Sequence, residues 1–378
     1  MKIAVLGAGL VGSAIVKDLA SEPGYHIKAI DVNQQILERL RVEASVEVEQ
    51  ADIRQEGKVA ALVAGSDLVI NAVPGFMGFD TLKSIIGAKI NVVDICFFPE
   101  DPFLLDELAR SMGVTAIVDC GVAPGFCNII LGSLSSSLDE ITSYTCYVGG
   151  LPQVRMLPYQ YKAAFSPIDV LEEYTRPARF VEYGQQVVRP ALSDPEMIDF
   201  QGVGTLEAFN TDGLRSLMQT MKIPFMKEKT LRYPGHINLM RTFREGGFFS
   251  TVPLEVKGQM VRPIDLTSKL LFEHWKFHEG EADFTIMEVI IEGNKGGRSL
   301  RYTHYLLDRF DEKTQITSMA RTTGYTCTIV ARQVIKGLFT QKGICPPEYI
   351  GRTAGCYDNI LEEYRKRNIK VTEKVEEL

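Results

Sequence analysis

The stretch Lys2-Ile-Ala-Val-Leu-Gly-Ala-Gly-Leu-Val-Gly12 leads from an apolar run, typical of a buried strand, into a helical pattern over residues 10–20. Its three glycines follow the spacing G-x-G-x-x-G. Gly7 permits the tight strand-to-helix turn, Gly9 lets the backbone approach a pyrophosphate, and Gly12 lets helix and strand pack closely. Phosphates would rest on the helix N-terminus, where N–H groups and the helix dipole favour an anion. The stretch therefore predicts a dinucleotide-binding turn; a glycine turn in an ordinary βα unit is the alternative.

The second apolar run ends at Asp31, nineteen residues after Gly12. A carboxylate at this place accepts hydrogen bonds from a ribose 2′-OH and repels a 2′-phosphate. Residues 32–34 are Val, Asn and Gln, so no arginine follows that would hold a phosphate. Asp31 therefore predicts NAD, and not NADP, as the cofactor. This role is compatible with Asp31 also capping the helix that begins near Asn33.

The first part of the chain alternates Val/Ile-rich runs with helical patterns, which indicates a parallel sheet covered on both faces. The predicted strands are Ile3–Leu6, Ile27–Asp31, Val46–Asp52, Leu68–Val73, Asn91–Cys96 and Thr115–Asp119. The helical patterns lie near residues 10–20, 34–42, 55–64, 79–87 and 102–112. Six such strands complete a doubly wound α/β fold of the Rossmann type.

Ligands of doubly wound folds bind along the carboxyl ends of the strands. We therefore expect cofactor contacts from the turns at these ends, namely from Gly7, Gly9, Leu10, Val11, Gly12, Asp31, Asp52, Ile53, Ala72, Val73, Pro74 and Gly121. Asp94 ends the fifth strand, near the expected nicotinamide, and its carboxylate could accept a proton or hold an ammonium group. A capping or hinge aspartate before Phe97-Phe98-Pro99 is the alternative.

After residue 130, alternating β-forming runs are mixed with helices, which predicts a second, α+β domain built on a mixed sheet. The clearest runs are Ile141–Val148, Phe284–Glu292 and Leu300–Phe310. A long helix is predicted over residues 316–339, another over Tyr357–Lys366, and a solvated charged end over Lys370–Glu377. We expect the C-terminal part to pack on the nucleotide-binding domain. The predicted domains are therefore residues 1–125 plus about 340–378, which bind the dinucleotide, and residues 126–339, which bind substrate and form the oligomer.

Basic side chains of the second domain fall in short segments that also hold aromatic residues or prolines: Tyr174-Thr-Arg176-Pro177, Arg215, and Arg232-Tyr-Pro-Gly-His236. The guanidinium groups of Arg176 and Arg232 could hold a substrate carboxylate by paired hydrogen bonds. Surface ion pairs are the alternative. His236 follows Pro-Gly, and its imidazole could transfer protons near neutral pH or serve as a structural residue at a helix start.

The composition is that of an ordinary globular protein, with 45% hydrophobic and 24% charged residues in a chain of 378. A net charge of −7 and the absence of a basic run argue against a nucleic-acid partner. No apolar stretch approaches the length of a membrane span and no signal peptide is evident, so we expect a cytoplasmic protein without a membrane partner. The seven cysteines form no C-x-x-C pair, which suits reduced thiols, and Cys96 and Cys120 are interpreted as packing residues.

No metal site is predicted. His274 and His278 lie four residues apart, with Glu273 and Glu279 beside them, which superficially resembles a metal-binding helix. Aromatic residues lie between the two histidines and no third ligand is evident, so a packed helix end is the preferred interpretation.

Several segments together resemble the saccharopine dehydrogenase-like family, and within it the lysine 6-dehydrogenase branch. In the first domain these are Gly7–Gly12, Asn71-Ala-Val-Pro-Gly75, Val92-Val-Asp-Ile-Cys96 and Asp119-Cys-Gly-Val-Ala-Pro-Gly125. In the second they are Phe165–Pro177, Asn210-Thr-Asp-Gly-Leu-Arg215 and Leu231-Arg-Tyr-Pro-Gly-His236. The resemblance spans nearly the whole chain. It implies a two-domain subunit with NAD(P)-linked oxidation or formation of a C–N bond on a lysine-derived amino acid.

The leading hypothesis is an NAD-dependent dehydrogenase that oxidises the ε-amine of L-lysine to 2-aminoadipate 6-semialdehyde. Asp94 or His236 would relay protons, and the substrate would be bound by Tyr174, Arg176, Asp212 and Arg232, with Asp212 holding the α-ammonium group. A saccharopine- or carboxynorspermidine-type reductase is the second hypothesis. A non-catalytic protein that senses NAD(H) is the third, since a fold alone is compatible with it. Because the β-rich second domain presents a sheet that needs cover, we also expect a homodimer.

Overall fold

The computed structural model describes residues 1–55, 57–278 and 280–378. The chain divides into two compact units. The first unit holds residues 1–138 and 319–370, and the second unit holds residues 139–318 and 371–378. The chain thus leaves the first unit after residue 138, where the sequence suggested 125, and it returns at 319, where the sequence suggested about 340.

The first unit is built on seven parallel strands. They are β1 (Lys2–Leu6), β2 (His26–Asp31), β3 (Glu47–Gln50), β4 (Leu68–Asn71), β5 (Asn91–Asp94), β6 (Thr115–Ile117) and β17 (Gly343–Cys345). Their spatial order is β17-β6-β5-β4-β1-β2-β3, so the direction of winding reverses between β1 and β4. The doubly wound parallel sheet is confirmed. The seventh strand was not predicted, because three residues are too short a run to show a period.

Helices cover this sheet. The amino-terminal ones are α1 (Leu10–Ala20), α2 (Gln34–Ala44), α3 (Lys58–Val63), α4 (Gly75–Gly87), a short 3-10 helix (Pro102–Leu105), α5 (Asp106–Ser111) and α6 (Phe126–Ser135). The helix predicted over residues 55–64 is shorter than expected, and its position 56 lies outside the described residues. Strand residues such as Val69, Val92 and Ala116 are fully buried together with Leu82 and Ile85 of α4. This burial on both faces explains the continuous apolar runs of the sequence.

The later part of the first unit adds α11 (Ser318–Ile335), α12 (Pro347–Arg352) and α13 (Cys356–Lys366). Asp18 of α1 anchors this part, because its carboxylate accepts hydrogen bonds from Arg332 at 2.7 Å and Arg367 at 2.8 Å. These cations and the Thr328 hydroxyl outweigh burial and lower the pKa of Asp18. Residues 319–370 thus pack on the nucleotide-binding fold, whereas residues 371–378, which the sequence also assigned to it, belong to the second unit.

The second unit is built on a nine-stranded mixed sheet. Its strands are β7 (Glu140–Pro152), β8 (Ala178–Glu182), β9 (Gln185–Arg189), β10 (Glu196–Phe200), β11 (Gly204–Asn210), β12 (Phe225–Arg232), β15 (Asp283–Lys295), β16 (Arg298–Arg309) and β18 (Val371–Glu377). The main path runs β10-β11-β12-β7-β15-β16-β18, and β8 joins β12 to β9. The pair β12–β7 is parallel and the other pairs are antiparallel.

In its described residues, the second unit also holds four helices and a hairpin: α7 (Pro167–Thr175), α8 (Leu217–Thr220), α9 (His236–Glu245), α10 (Pro263–Trp275), and the hairpin of β13 (Leu254–Val256) with β14 (Gln259–Val261). The charged end over Lys370–Glu377 has exposed side chains, as expected of a solvated segment, but its backbone forms a strand, because Val371–Glu377 pairs along β16 from Leu306 to Leu300. Backbone pairing with an edge strand does not depend on apolar side chains, so composition did not reveal it. Among the described residues, no helix has both the length and the apolar character needed to cross a membrane.

Candidate functional site

The three glycines of the first turn are needed for two different reasons. Gly7 has φ +91°, and a Cβ there would lie 2.3 Å from the carbonyl oxygen of Ala72. A Cβ on Gly12 would lie 2.0 Å from the carbonyl oxygen of Gly7. The fold itself therefore excludes a side chain at both positions. Gly9 is different, since a Cβ there would meet no atom within 4 Å. Its missing side chain instead leaves open space at the N-terminus of α1, where a pyrophosphate would lie.

Asp31 lies at the carboxyl end of β2, and its carboxylate is fixed to the glycine turn. One oxygen accepts the backbone N–H of Ala8 at 2.7 Å, and the other accepts the N–H of Asn33 at 2.8 Å. Each carboxylate oxygen has a further lone pair that can accept a ribose hydroxyl. The cap of α2 is Asn33, whose side chain accepts from Gln35 and Ile36. Asp31 therefore does not cap this helix.

The other predicted cofactor residues lie at the same edge of the sheet. Ala72, Val73 and Pro74 follow β4, while Leu10, Val11 and Gly12 form the first turn of α1. Asp52 and Ile53 follow β3, and Gly121 follows β6. The structure thus gathers them where doubly wound folds bind their ligands.

Asp52 has a partner that the sequence analysis overlooked. Arg54 donates to both oxygens of its carboxylate, the shortest bond being 2.6 Å. The hydrogen bonds from Arg54 lower the pKa of Asp52 to about 2. This pair could have been predicted from the sequence, because an aspartate and an arginine two residues apart in a turn can pair without contacts from other elements.

Asp94 is fully buried at the carboxyl end of β5. One carboxylate oxygen accepts the N–H of Cys96 at 2.6 Å, and the other accepts the side-chain amide of Asn71 at 2.6 Å. Burial raises the pKa of Asp94 to about 7, against these two hydrogen bonds and a third from the Cys96 thiol, and the negative charge of Asp119 raises it further. Asn71 was not among the predicted site residues, because only the register of β4 against β5 brings it opposite Asp94.

In the second unit, three predicted residues meet in one buried network. Arg232 is 2% exposed, and its guanidinium donates to the Tyr174 hydroxyl at 2.9 Å and to the Glu173 carboxylate. The Tyr174 hydroxyl lies 3.0 Å from Nε2 of His236. The ring of Tyr161 covers the guanidinium at 4.4 Å from its centroid. The charge of Arg232 is therefore matched inside the protein by Glu173.

His236 is 1% exposed, and both ring nitrogens have partners. Nδ1 lies 2.8 Å from the carbonyl oxygen of Tyr159, which can only accept, so Nδ1 carries the hydrogen and Nε2 accepts from Tyr174. Burial and the nearby charge of Arg232 lower the pKa of His236 to about 3. The expectation of an imidazole that titrates near neutral pH is therefore not met.

The remaining predicted binding residues lie outside this network. Arg176 pairs with Glu172 at 3.2 Å, one turn earlier in the chain. Asp212 accepts two hydrogen bonds from the guanidinium of Arg179, at 2.7 and 2.8 Å. Arg215 is buried, with φ +50°. Asp212 thus already has a cationic partner of its own.

The two spaced histidines line a pocket of about 170 Å³ in the second unit. Its wall also includes Tyr159, Tyr161 and the ion pair between Lys162 and Glu281. Glu279, which the sequence places beside them, lies outside the described residues. In the described part of the chain, no group of three His, Cys, Asp or Glu side chains is arranged to hold a metal ion.

All seven cysteines are buried free thiols, and burial raises the pKa of Cys120.

Family models match both parts of the chain. The saccharopine dehydrogenase NADP binding domain matches residues 3–117, and the saccharopine dehydrogenase C-terminal domain matches residues 121–369. The apo, L-Glu-forming saccharopine dehydrogenase of Saccharomyces cerevisiae has the same fold, with a TM-score of 0.79 and 17% identity, over 99% of each chain.

Curated relatives from other organisms are also similar to this chain in sequence. The saccharopine dehydrogenase [NADP(+), L-glutamate-forming] of Schizosaccharomyces pombe is 29% identical over 82% of this chain and 86% of its own. The mitochondrial alpha-aminoadipic semialdehyde synthase of Bos taurus is 25% identical over 66% of this chain. The match spans only 28% of the length of that bovine protein. The two domain matches together cover most of the residues, and the chain therefore belongs to the saccharopine dehydrogenase family, a family of oxidoreductases with a dinucleotide-binding domain.

Proposed function

We propose that this protein is an NAD-dependent oxidoreductase that acts on a C–N bond of an amino acid, with the ε-amine of L-lysine as its substrate. The observation that carries the cofactor part is the carboxylate of Asp31, held at 2.7 Å by the N–H of Ala8 in the glycine turn. The open space beside Gly9 supports a pyrophosphate at the same turn. Family membership supports the redox chemistry on a lysine-related substrate.

The preference for NAD is a proposal about this chain and not about its relatives. The matching domain model is named for NADP, and the Schizosaccharomyces pombe relative is named for NADP(+). In this chain, however, the group beside the expected 2′ position is the Asp31 carboxylate, which would repel a 2′-phosphate. Arg54, which follows β3 at this edge, is already paired with Asp52.

Oxidative deamination converts the alkylammonium group and water to an aldehyde and an ammonium ion, with release of one proton and transfer of two electrons as hydride. The bound nicotinamide would supply the hydride acceptor. The protein must then remove a proton from the amine before the C–H bond can be oxidised. With its pKa raised to about 7, Asp94 can exchange a proton at physiological pH. Because Asp94 is fully buried, this exchange requires a local opening or a chain of water molecules.

The substrate carboxylate would be held by the second unit. Arg176 and Arg232 remain the proposed groups for the carboxylate, and Tyr174 and Asp212 remain proposed substrate-binding residues. Arg232 already binds Glu173 and Tyr174, so it would hold a carboxylate only if Glu173 gave way. Arg176, whose partner Glu172 is half exposed, can exchange partners at lower cost.

A saccharopine-type dehydrogenase or reductase is the second candidate, and the names of the relatives favour it. A four-way assay separates the two: lysine or saccharopine as substrate, with NAD or NADP as acceptor, followed by cofactor absorbance at alkaline pH. Turnover of lysine with NAD supports the proposal, whereas turnover of saccharopine alone replaces the substrate. Tight NAD(H) binding in calorimetry with no turnover of any amine would indicate a sensing protein instead.

A further inference from the structure

We propose that Asn71 is a positioning residue that holds Asp94 in its ionised form and thereby sets the pH at which Asp94 exchanges a proton. The inference rests on the proposed function only for the catalytic consequence. The coupling of the two side chains is a property of the first unit alone.

The sheet register places the two side chains together. Asn71 is the last residue of β4 and Asp94 the last residue of β5, and the two are direct partners across the parallel pair. Both are fully buried. The amide Nδ2 of Asn71 donates to Asp94 at 2.6 Å and, at 3.3 Å, to the carbonyl oxygen of Gly78 in α4. One amide group therefore connects two strands and a helix at the ligand-binding edge.

The orientation of the amide suits a carboxylate and not a carboxylic acid. With Nδ2 towards Asp94 and Gly78, both N–H groups meet acceptors. The opposite orientation would place Oδ1 against these two acceptors. In the observed orientation, Oδ1 is buried without a hydrogen-bond partner among the described residues. A buried unpaired acceptor has a cost, and the bond to an ionised Asp94 offsets it.

The other polar groups around Asp94 do not supply a positive charge that would replace this bond. The N–H of Cys96 donates to the second carboxylate oxygen at 2.6 Å. Asp119, at the end of β6, acts in the opposite direction, because its negative charge favours the protonated form of Asp94. The thiols near Asp94 are those of Cys96, Cys120 and, on α11, Cys327. The donors that favour ionisation are the backbone amide of Cys96, the side-chain amide of Asn71 and, as a weaker donor, the Cys96 thiol.

The test is a direct titration of Asp94 in the full chain. Aspartate labelled with ¹³C at the carboxyl carbon is followed by NMR as a function of pH, and Asp94→Asn identifies the signal. Asn71→Leu keeps the size of the side chain and removes the donor, and Asn71→Ala, which also lacks a donor, is the smaller second variant if the first does not fold. Asn91→Leu is the matched control, since Asn91 accepts a backbone N–H from Thr115 at the start of β5.

We expect either Asn71 variant to raise the pKa of Asp94 by about one to two pH units, the size of a lost charge-assisted hydrogen bond, and Asn91→Leu to leave it in place. An unchanged Asp94 titration in a folded Asn71 variant overturns the inference. The pH–rate profile, recorded with whichever amine and cofactor are turned over, is the second readout. A shifted titration with an unshifted profile would uphold the coupling and remove Asp94 from the proposed chemistry.

Discussion

Asp31 decides the cofactor at the scale of one residue. We expect Asp31→Ser to weaken NAD binding by about 1–3 kcal/mol, because hydrogen bonds to a charged acceptor are lost. Asp67→Ser is the matched control, since Asp67 also accepts a backbone N–H at 2.7 Å, from Lys2 at the other end of the sheet. Isothermal titration with NAD and NADP measures both. Equal affinity of the parent protein for the two cofactors would contradict the argument from Asp31.

Arg232 and Glu173 form a buried ion pair whose loss should be costly. Arg232→Met leaves the Glu173 carboxylate buried without its cation, so we expect a loss of about 3–5 kcal/mol in the free energy of unfolding. The double variant Arg232→Met, Glu173→Leu should recover much of this loss, because no buried charge remains. Urea unfolding at neutral pH measures the series. If the single and double variants were equally unstable, the charge would not be the cause.

His236 should make stability depend on acid pH. Its folded pKa is lowered to about 3 from an ordinary 6.5, so below pH 6.5 the unfolded chain binds a proton that the folded protein does not. The stability of the fold with a neutral His236 is therefore fully present above pH 6.5 and is lost as the pH falls towards 3. Asp94 has the opposite effect on stability. Because its pKa is raised to about 7, the folded protein loses stability as the pH rises from about 4 to 7 and the unfolded chain ionises first.

The measurement is the melting temperature of the parent and of His236→Gln between pH 4 and 7. We expect the variant to be less stable at neutral pH and to lose less stability on acidification. His26→Gln is the control, because His26 is exposed at the start of β2. A parallel decline of all three proteins would show that His236 is not the titrating group.

Some site residues were predictable from the sequence and others were not. The glycine turn and Asp31 were predictable, because their roles follow from local spacing within one βα unit. The pairs Asn71–Asp94 and Arg232–Glu173 were not, because each depends on which strand or helix lies beside another. Glu173 directly precedes Tyr174, which was a predicted binding residue, yet nothing in the sequence distinguishes its carboxylate from a solvated one.

At the scale of elements, helices α6 and α12 pack with their backbones in contact. A Cβ on Gly132 would lie 2.2 Å from the carbonyl oxygen of Glu348, and a Cβ on Gly351 would lie 2.1 Å from that of Ile129. We therefore expect Gly132→Ala to destabilise the first unit by about 1–3 kcal/mol through overpacking. Gly87→Ala in α4 is the control, since a Cβ there meets nothing within 4 Å. Thermal unfolding that ranks the two variants equally would contradict this close packing.

The sequence predicted some strands better than others. Buried parallel strands were recognisable from their apolar runs, whereas β18 was not, because six of its seven residues are exposed and its sequence is charged. Its charged residues are typical of an edge strand protected against further pairing. This strand forms because β16 lies beside it as a pairing partner, which the local sequence of β18 does not show.

At the scale of the whole molecule, the second unit exposes an apolar hairpin that a second copy of the chain would cover. Leu254, Val256 and Met260 of β13 and β14 are 56%, 53% and 67% exposed, and an isolated two-stranded hairpin is only marginally stable in water. The charges beside them, Glu255 and Lys257, have opposite signs, so they can pair when the same patch of two copies meets across a two-fold axis. We therefore expect a homodimer.

Light scattering at micromolar concentration should give about twice the 42.1 kDa mass of one chain. Leu254→Glu together with Met260→Glu places like charges across the two-fold axis, so we expect this variant to shift towards the single-chain mass. Val42→Glu is the matched control, because Val42 is an exposed apolar residue on α2 of the first unit. A parent protein with the mass of one chain would refute the homodimer. A hairpin variant that remained a dimer would instead assign the interface to another surface.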